Sequence, residues 1–319
     1  MLDQVCSIIV AAYNEENNIR QCLDCLVNQT YRNIEVIIVD DGSIDQTSSI
    51  IHTYIQKYSY IKYFYQENSG ASAARKNGLN RVKGDFITFL DCDDEFHLDT
   101  VEKAMKEFEH TGIDIVLFDL HESIDATNKN FKKFDYFTHK KIIDGKDAFI
   151  NCIGQWGVHG SGIYRKDIFV KANNRYLKEN SQNFVNNDEV VTKLSFYYAD
   201  KIKLSDAVYL YKFNVNSVTR KINKNYVFIL ENGLIFEVIC KKEGVVFNYN
   251  QVLFDDVRYV YHILKKWHAD LPNKKIWVDI LKKCLKFIWY NKLQPLSFKN
   301  KLRFCRMYIY LNIVEYYGK

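Results

Sequence analysis

An α/β fold built on a mostly parallel sheet flanked by helices is predicted by three observations. Apolar runs rich in β-branched and aromatic residues recur along the first 120 residues, at Cys6–Ala12, Ile34–Val39, Tyr60–Tyr65, Phe86–Leu90 and Asp114–Leu120. Helix-like segments separate them, and strands alternating with helices imply βαβ units with parallel pairing. Two acidic pairs, Asp40-Asp41 and Asp93-Asp94, stand at the ends of two of the runs, where open α/β sheets bind their ligands.

Taken in order, Tyr13-Asn14-Glu15-Glu16 closes the first run, and a helix follows to about Asn28. Asp40-Asp41-Gly42-Ser43 closes the second, and Asp45 suits the N-cap of a helix to about Tyr58. After the third run comes a turn at Asn68-Ser69-Gly70 and a helix from Ala71 to Val82. A helix from about Leu98 to His110 precedes the fifth run. Residues 121 to 145 are polar and irregular. Residues 146 to 170 suggest a helix, a turn rich in glycine (Gly154, Gly157, Gly160, Gly162) and then Ile163-Tyr164-Arg165. A helix begins near Asp188, and Ala207–Phe213 reads as a late strand. From Tyr226 the chain reads as helical, so residues 1–220 form one domain and 221–319 a helical extension.

The 319 residues suit one large domain or two joined units, and 47% hydrophobic with 26% charged residues is a globular composition. The net charge of +5 hides an asymmetry: residues 258–319 hold 14 Lys or Arg against three Asp or Glu, leaving −6 for the rest. These residues also carry thirteen aromatics, and Trp277, Ile280, Leu281, Cys284 and Ile288 recur at helical spacing. Such a segment reads either as a helical cap with a solvated basic face or as a membrane-surface binder. No nucleic-acid motif accompanies the charge, so nucleic acid is not an expected partner. The N-terminus lacks a basic and apolar leader, and no run of about 18 apolar residues occurs. The expected location is cytoplasmic, with peripheral contact at the inner face of the membrane as an option. The eight cysteines are scattered and read as reduced thiols; Cys22-Leu-Asp-Cys25 is a lone CxxC without a second pair.

The chemistry concentrates at Asp91-Cys92-Asp93-Asp94. Three carboxylates at a strand end would repel one another in an empty site, and a hard divalent cation would relieve that repulsion. A solvated acidic turn before the next helix is the plainer reading of the tetrapeptide alone, and the second acidic pair shifts the balance toward a ligand cleft. Gly42 permits a tight turn and close backbone approach to a ligand. Neither GxGxxG nor GxxxxGK[ST] is present, which disfavours a dinucleotide site and a P-loop.

Four motifs in order carry a family resemblance. They are Ala12-Tyr13-Asn14-Glu15; Val39-Asp40-Asp41-Gly42-Ser43 with Asp45 and Thr47; Asn68-Ser69-Gly70-Ala71 through Arg75 to Gly78; and Leu90-Asp91-Cys92-Asp93-Asp94. Together they resemble the GT-A-fold glycosyltransferases of family 2, an inverting family that uses nucleotide sugars. Looser matches at Gly162–Lys166, Asn187-Asp188-Glu189, Tyr209–Lys212 and Asn216–Thr219 resemble its bacterial polysaccharide branch. The resemblance implies a GT-A domain with a UDP-sugar donor, a lipid-linked or surface-glycan acceptor and Mn²⁺ or Mg²⁺. It implies a nucleotide-sugar site of Ala12, Tyr13, Asn14, Glu15, Asp40, Asp41, Gly42, Ser43, Asn68, Gly70, Ala71, Arg75, Asp91, Cys92, Asp93 and Asp94.

Within that set, Asp41 would accept from the nucleobase and Tyr13 would flank it. Arg75 would reach the diphosphate or hold Asp91. Asp93 would ligate the metal, with Asp91 on the metal or the ribose. Asp94 would support the loop or meet sugar hydroxyls. Asp188 would be the general base, with Glu189 as its rival, because Asn187 replaces the family's usual Glu. His159 and Trp156 read first as core or loop residues and second as acceptor-site lining. A different nucleotide donor, a protein acceptor, or an inactive glycan- or membrane-binding relative remain alternatives.

Overall fold

Continuous apolar runs become central strands because both faces of a parallel sheet are covered, as the near-complete burial of Cys6–Val10 and Val36–Asp40 illustrates. The structure, a computed structural model, describes residues 4–125, 127–154, 157–180, 187–214, 223–267, 270–271, 273–291 and 296–317. The chain divides into two compact units, Met1–Asn174 with Val191–Val215, and Arg175–Val190 with Asn216–Lys319.

The first unit begins β1 (Cys6–Ala12), α1 (Ile19–Val27), β2 (Ile34–Asp40), α2 (Thr47–Ile55), β3 (Ile61–Tyr65), α3 (Ala71–Leu79) and β4 (Phe86–Phe89). It continues with β5 (Glu95–Phe96), α4 (Thr100–Glu107), β6 (Ile113–Ser123), β7 (Phe131–Lys133), β8 (Ile142–Asp144), α5 (Gly145–Asn151) and β9 (Gly162–Arg165). Then come α6 (Lys166–Leu177), α7 (Asn187–Tyr198) and β10 (Lys201–Tyr211), the division between units falling inside the two helices.

The sheet runs β3-β2-β1-β4-β9-β6-β10-β5, with β7 beside β6 and β8 beside β10. Strands β3, β2, β1 and β4 are mutually parallel. Beyond them β9 is inserted antiparallel between β4 and β6, and β10 returns parallel to β6. The sheet is therefore parallel where the acidic motifs lie and mixed farther on. Ala12 lies opposite Asp40, and Ile9 opposite Phe89. The chain reverses its winding between β1 and β4, so the segments leaving β1, β2 and β4 share the edge where a ligand crevice forms. Helix α3 is seated directly on β1: a Cβ on Gly78 would come within 2.6 Å of Ile9 Cγ2. That close approach fixes where Arg75, one turn earlier, can reach.

Two short strands, β7 and β8, lie inside the region read as irregular, and β10 starts six residues before the expected Ala207. Helix limits contract by one to three residues; α2, for instance, starts at Thr47, whose N–H donates to the Asp45 carboxylate at 2.9 Å. All eight cysteines are free thiols, and Cys305 is the exposed one.

Among its described residues the second unit contains, besides the end of α6 and the start of α7, a 3₁₀ turn at Tyr226–Phe228 and the helices α8 (Ile229–Lys242), α9 (Tyr249–Trp267), α10 (Lys274–Tyr290) and α11 (Phe298–Tyr317). Its core gathers Leu253, Phe254, Val257 and Leu264 of α9 with Trp277, Leu281, Cys284 and Ile288 of α10. The Trp277 indole N–H donates to the Lys224 carbonyl at 3.0 Å, which satisfies the polar edge of a fully buried ring. The periodic residues of α10 face this core, while Lys275, Asp279, Lys282, Lys283 and Lys286 stay outside it.

Candidate active site

The loops after β1 and β2 are zipped together by side chains that the motifs supply. Asn14 adopts a left-handed conformation, φ 54°, which asparagine tolerates better than most residues. Its N–H donates to Ser43 Oγ at 3.0 Å, and its side-chain oxygen accepts from the Ile44 N–H at 2.9 Å. The Glu15 N–H donates to Thr47 Oγ1 at 2.7 Å and the Glu16 N–H to Asp45 Oδ2 at 3.1 Å. Ser43, Asp45 and Thr47 thus serve as acceptors for an otherwise irregular backbone. Tyr13, at the head of this loop, is 46% exposed.

Asp40 and Asp41 are both buried but do different work. Asp40 accepts from the Ser43 N–H and the Tyr63 hydroxyl, each at 2.8 Å, and shapes the turn. Asp41 Oδ1 accepts from Gln66 Nε2 at 2.7 Å and the Ser69 N–H at 2.8 Å, and Oδ2 accepts from the Gly70 N–H at 2.8 Å. A carboxylate offers about four acceptor directions, so one on Oδ2 is left for a ligand. Gly42 sits at φ +80°, and a Cβ there would approach the Asn68 backbone nitrogen at 2.9 Å. Asn68-Ser69-Gly70 therefore wraps onto Asp41-Gly42, and Ala71 opens α3 at that point.

In the acidic turn, residues alternate between inward and outward. Cys92 is buried, and its thiol donates to the Ala11 carbonyl at 3.3 Å. The Cys22 contact lowers the Cys92 thiol, but burial together with the Glu15, Asp91 and Asp93 carboxylates raises it on balance, so this residue is a packing element of the turn. Asp94 is buried too: Oδ2 accepts from the Tyr209 hydroxyl at 2.6 Å and Oδ1 from the Lys212 N–H at 2.9 Å. These bonds pin the turn to the end of β10. Asp91 and Asp93 point the other way. Arg75 Nη2 donates to Asp91 Oδ1 at 2.6 Å, and Asn214 Nδ2 to Asp93 Oδ2 at 2.8 Å.

The charge of the cluster registers on its neighbours. Burial, and after it the Asp91 carboxylate, push the Asp94 carboxyl up to about 8, with Asp93 adding to the effect. Glu15 is raised mainly by burial and then by Asp93, Asp91 and Asp45, against the Asn18 hydrogen bond that lowers it. Among the described residues no three His, Cys, Asp or Glu side chains form a ready metal cage. The hard oxygen donors of Asp93 and of Asp91, the latter already paired with Arg75, would suit Mg²⁺ or Mn²⁺ in another way, because such ions on a diphosphate take one or two carboxylates plus phosphate and water. Asp93, with Asp91, could hold one.

Beside Asp93 lies a cleft of about 570 Å³ lined by Asn18, Gln21, Asn128, Phe131, Lys212 and Asn214 among others. Asn128, at φ 53°, clamps the end of β10: its Oδ1 accepts from the Phe213 N–H at 2.6 Å and its Nδ2 donates to the Phe213 carbonyl at 3.3 Å. Lys212 pairs with Glu95, which also accepts from Gln21 Nε2 at 3.0 Å. Sequence reading did not single out Asn128, Phe131 or Asn214, which carry no local signal. Tyr209 and Lys212 lay in a segment with a recognisable pattern but no assigned role.

His159 is a buried structural residue. Its Nδ1 accepts from the Ser161 N–H at 3.1 Å, so Nε2 carries the proton and donates toward the Tyr136 hydroxyl at 2.7 Å and the Phe118 carbonyl at 3.1 Å. Burial drives its pKa down to about 4. Trp156 and Asn216–Thr219 lie outside the described residues. Asp188 and Glu189 occupy the first turn of α7 and belong to the second unit. Asp188 is exposed, and its Oδ1 accepts from the Glu189 N–H at 3.1 Å.

A sheet that reverses winding beside β1, with acidic turns after β2 and β4, defines the chain as a GT-A-type α/β protein. The chain matches the profile described as Glycosyl transferase family 2 over residues 7–171 and belongs to that family. It is 28% identical over 248 residues to the glycosyltransferase GlyA of Streptococcus pneumoniae, a match covering 73% of this chain and 34% of that one. EpsH of Bacillus subtilis is 27% identical over 231 residues, covering 72% of this chain and 65% of EpsH. The chain thus spans about a third of one relative and just under two-thirds of the other. Among solved structures, S. aureus TarS residues 1–349, crystallised with UDP-GlcNAc, shares the fold with a TM-score of 0.68 at 20% identity, covering 98% of this chain and 92% of that one.

Proposed function

We propose that this chain is the catalytic part of an inverting glycosyltransferase. It moves a hexose or N-acetylhexosamine from a UDP-sugar to a hydroxyl of a bacterial surface glycan such as capsule or lipopolysaccharide. The observation that carries this reading is the convergence of the Tyr13 loop, the Asp41-Gly42 turn and the outward carboxylates Asp91 and Asp93 on one sheet edge. The UDP-GlcNAc complex of TarS favours a uridine donor over other nucleotides.

In this reading Tyr13 flanks the base, and Asp41 uses its remaining acceptor direction for the uracil N3–H. Arg75 keeps Asp91 oriented and adds positive charge beside the diphosphate. Asp93 and Asp91 would hold Mn²⁺ or Mg²⁺, which when bound would supply charge neutralisation for the leaving group. Asp188, or Glu189 in its place, takes the proton of an acceptor hydroxyl. The hydroxyl oxygen bonds to the anomeric carbon as the bond from that carbon to the diphosphate breaks. UDP departs, and an α-linked donor gives a β-linkage. A positioned base contributes roughly 10²–10⁴-fold. A lipid-linked acceptor would place the enzyme at a membrane surface.

The test is hydrolysis of UDP-glucose, UDP-galactose and UDP-N-acetylglucosamine without acceptor, with and without Mn²⁺, followed by proton NMR. The proposal predicts metal-dependent release from at least one donor, with the β-anomer of the sugar appearing first. Initial release of the α-anomer would overturn inversion, and no release from any donor would favour an inactive binding relative.

A further inference from the structure

We infer that α11 docks the chain on an anionic lipid surface through its outward face. This gives the membrane contact of the reading above a specific surface, and rests on that reading only for its purpose. The face is read from burial along the helix. Phe298, Leu302, Ile309 and Ile313 are all strongly exposed, from 49% at Leu302 to 77% at Phe298, and Cys305 is exposed among them. At the helical advance these five positions fall within about 80° of one another and extend for roughly 22 Å. The opposite face, Phe304, Met307 and Leu311, is buried in the second unit's core. The helix is thus anchored on one side, and the apolar stripe on the other has no packing role within the described residues.

The neighbouring helix places two exposed aromatic residues at one end of the pair. Lys282 of α10 pairs with Glu315 of α11, and Trp289 of α10 stacks with Phe304 at 6.1 Å, so the two helices run antiparallel. Trp289 and Tyr290, at the end of α10, therefore lie at the same end of the pair as Phe298, and both are exposed. Amphipathic aromatic rings favour the boundary between headgroups and acyl chains.

Charge selects the occupant. From Phe298 to Val314 the helix carries Lys299, Lys301, Arg303 and Arg306 and no acid. On the helical wheel Lys299, Arg303 and Arg306 border one side of the stripe and Lys301 borders the other. Long basic side chains beside an apolar stripe can reach headgroup phosphates while their stems cover acyl chains. Among the described residues no helix is long and apolar enough to cross a membrane, and an apolar face bordered by cations suits a helix lying in the interface plane. An acidic protein surface would satisfy the cations but would leave the 22 Å apolar stripe (about four turns) without a matching environment.

The experiment uses the whole chain labelled at Cys305 with an environment-sensitive fluorophore, since the other seven cysteines are buried or half-buried. It is mixed with vesicles of phosphatidylcholine alone or with phosphatidylglycerol. The proposal predicts a blue shift and co-sedimentation with the anionic vesicles only, weakened by added salt. Leu302→Ser with Ile309→Ser should lower partitioning by more than about tenfold, and Arg303→Glu with Arg306→Glu should abolish the preference for anionic vesicles. These positions are at the surface, and circular dichroism checks that each variant is folded. A probe that stays in water on anionic vesicles would overturn the proposal. So would a blue shift that grows with protein concentration without lipid, which would assign the stripe to a second copy of the chain. Nucleotide binding by the same preparations is read separately, so loss of vesicle binding is not confused with failure of the catalytic reading.

Discussion

Replacing Tyr209 by Phe removes one oxygen and tests how the acidic turn is held. The Tyr209 ring packs 5.6 Å from Phe96 and 6.1 Å from Phe118, contacts that Phe retains. What disappears is the 2.6 Å bond to Asp94 Oδ2, in a site where both residues are buried. The Asp94 carboxyl already stands at about 8, raised first by burial and then by Asp91, while the Tyr209 hydroxyl pulls it down. An acid whose folded pKa exceeds its unfolded value near 3.9 holds its proton longer in the folded chain. Its contribution to stability therefore falls as pH rises from about 4 through about 8 and is level above that. Without the hydroxyl the folded pKa moves higher still, so the decline extends further. Near pH 6 the variant loses a hydrogen bond to a neutral acid, about 1 kcal/mol; near pH 9 it loses one to a carboxylate, about 2–3 kcal/mol. The larger figure corresponds to roughly 4–12 °C in melting temperature for a unit of this size. Urea unfolding at the two pH values, with the parent chain beside it, measures the difference directly. An equal loss at both, or no loss at either, would refute the assignment of Asp94 as the buried pin.

Gly42→Ala forces a side chain into φ +80° and 2.9 Å from the Asn68 nitrogen, at a cost of about 2 kcal/mol. Urea unfolding should show that loss, with weaker nucleotide binding as Asn68–Gly70 lifts from Asp41. His159 is neutral when folded because burial holds its pKa near 4, whereas the unfolded value is about 6.5. The unfolded chain protonates first, so stability is full above about pH 6.5 and declines by about 3 kcal/mol as pH falls toward 4. A His159→Gln chain should show a shallower urea-midpoint decline across that window. Asp93→Asn should keep the fold, since the turn is pinned through Cys92 and Asp94, but lose metal-dependent stabilisation by UDP in a thermal-shift assay.

The legible part of this chain is the part whose signals are local. β1, β2 and β4 are readable because each is a largely apolar run closed by a polar turn, and parallel strands are buried on both faces. The zipped loops were readable as motifs, although their physical role, pairing Asn14 with Ser43 and Ile44, needs two segments brought side by side. The start of β10 was hidden because Ser205 and Asp206 interrupt its alternation; the register shift between Leu204 and Val208 accommodates them. β9 is only four residues long, too short to reveal that it enters the sheet antiparallel. The partners of Asp94 and Asp93, Tyr209 and Asn214, lie more than a hundred residues away, and no spacing rule links them. That Cys92 and Asp94 face inward is not written in the sequence, because a turn's inward and outward sides are set by the strand before it, which only the structure displays.

The most direct test of the central claim is a thermal-shift screen of the whole chain against UDP, GDP and CMP, each with and without Mn²⁺. A ligand that binds only the folded state stabilises by roughly 2.7 kcal/mol at a hundred times its dissociation constant. The account predicts a clear upward shift with UDP and Mn²⁺ together and little with the other nucleotides. A folded chain that responds to no nucleotide, with or without the metal, would contradict it.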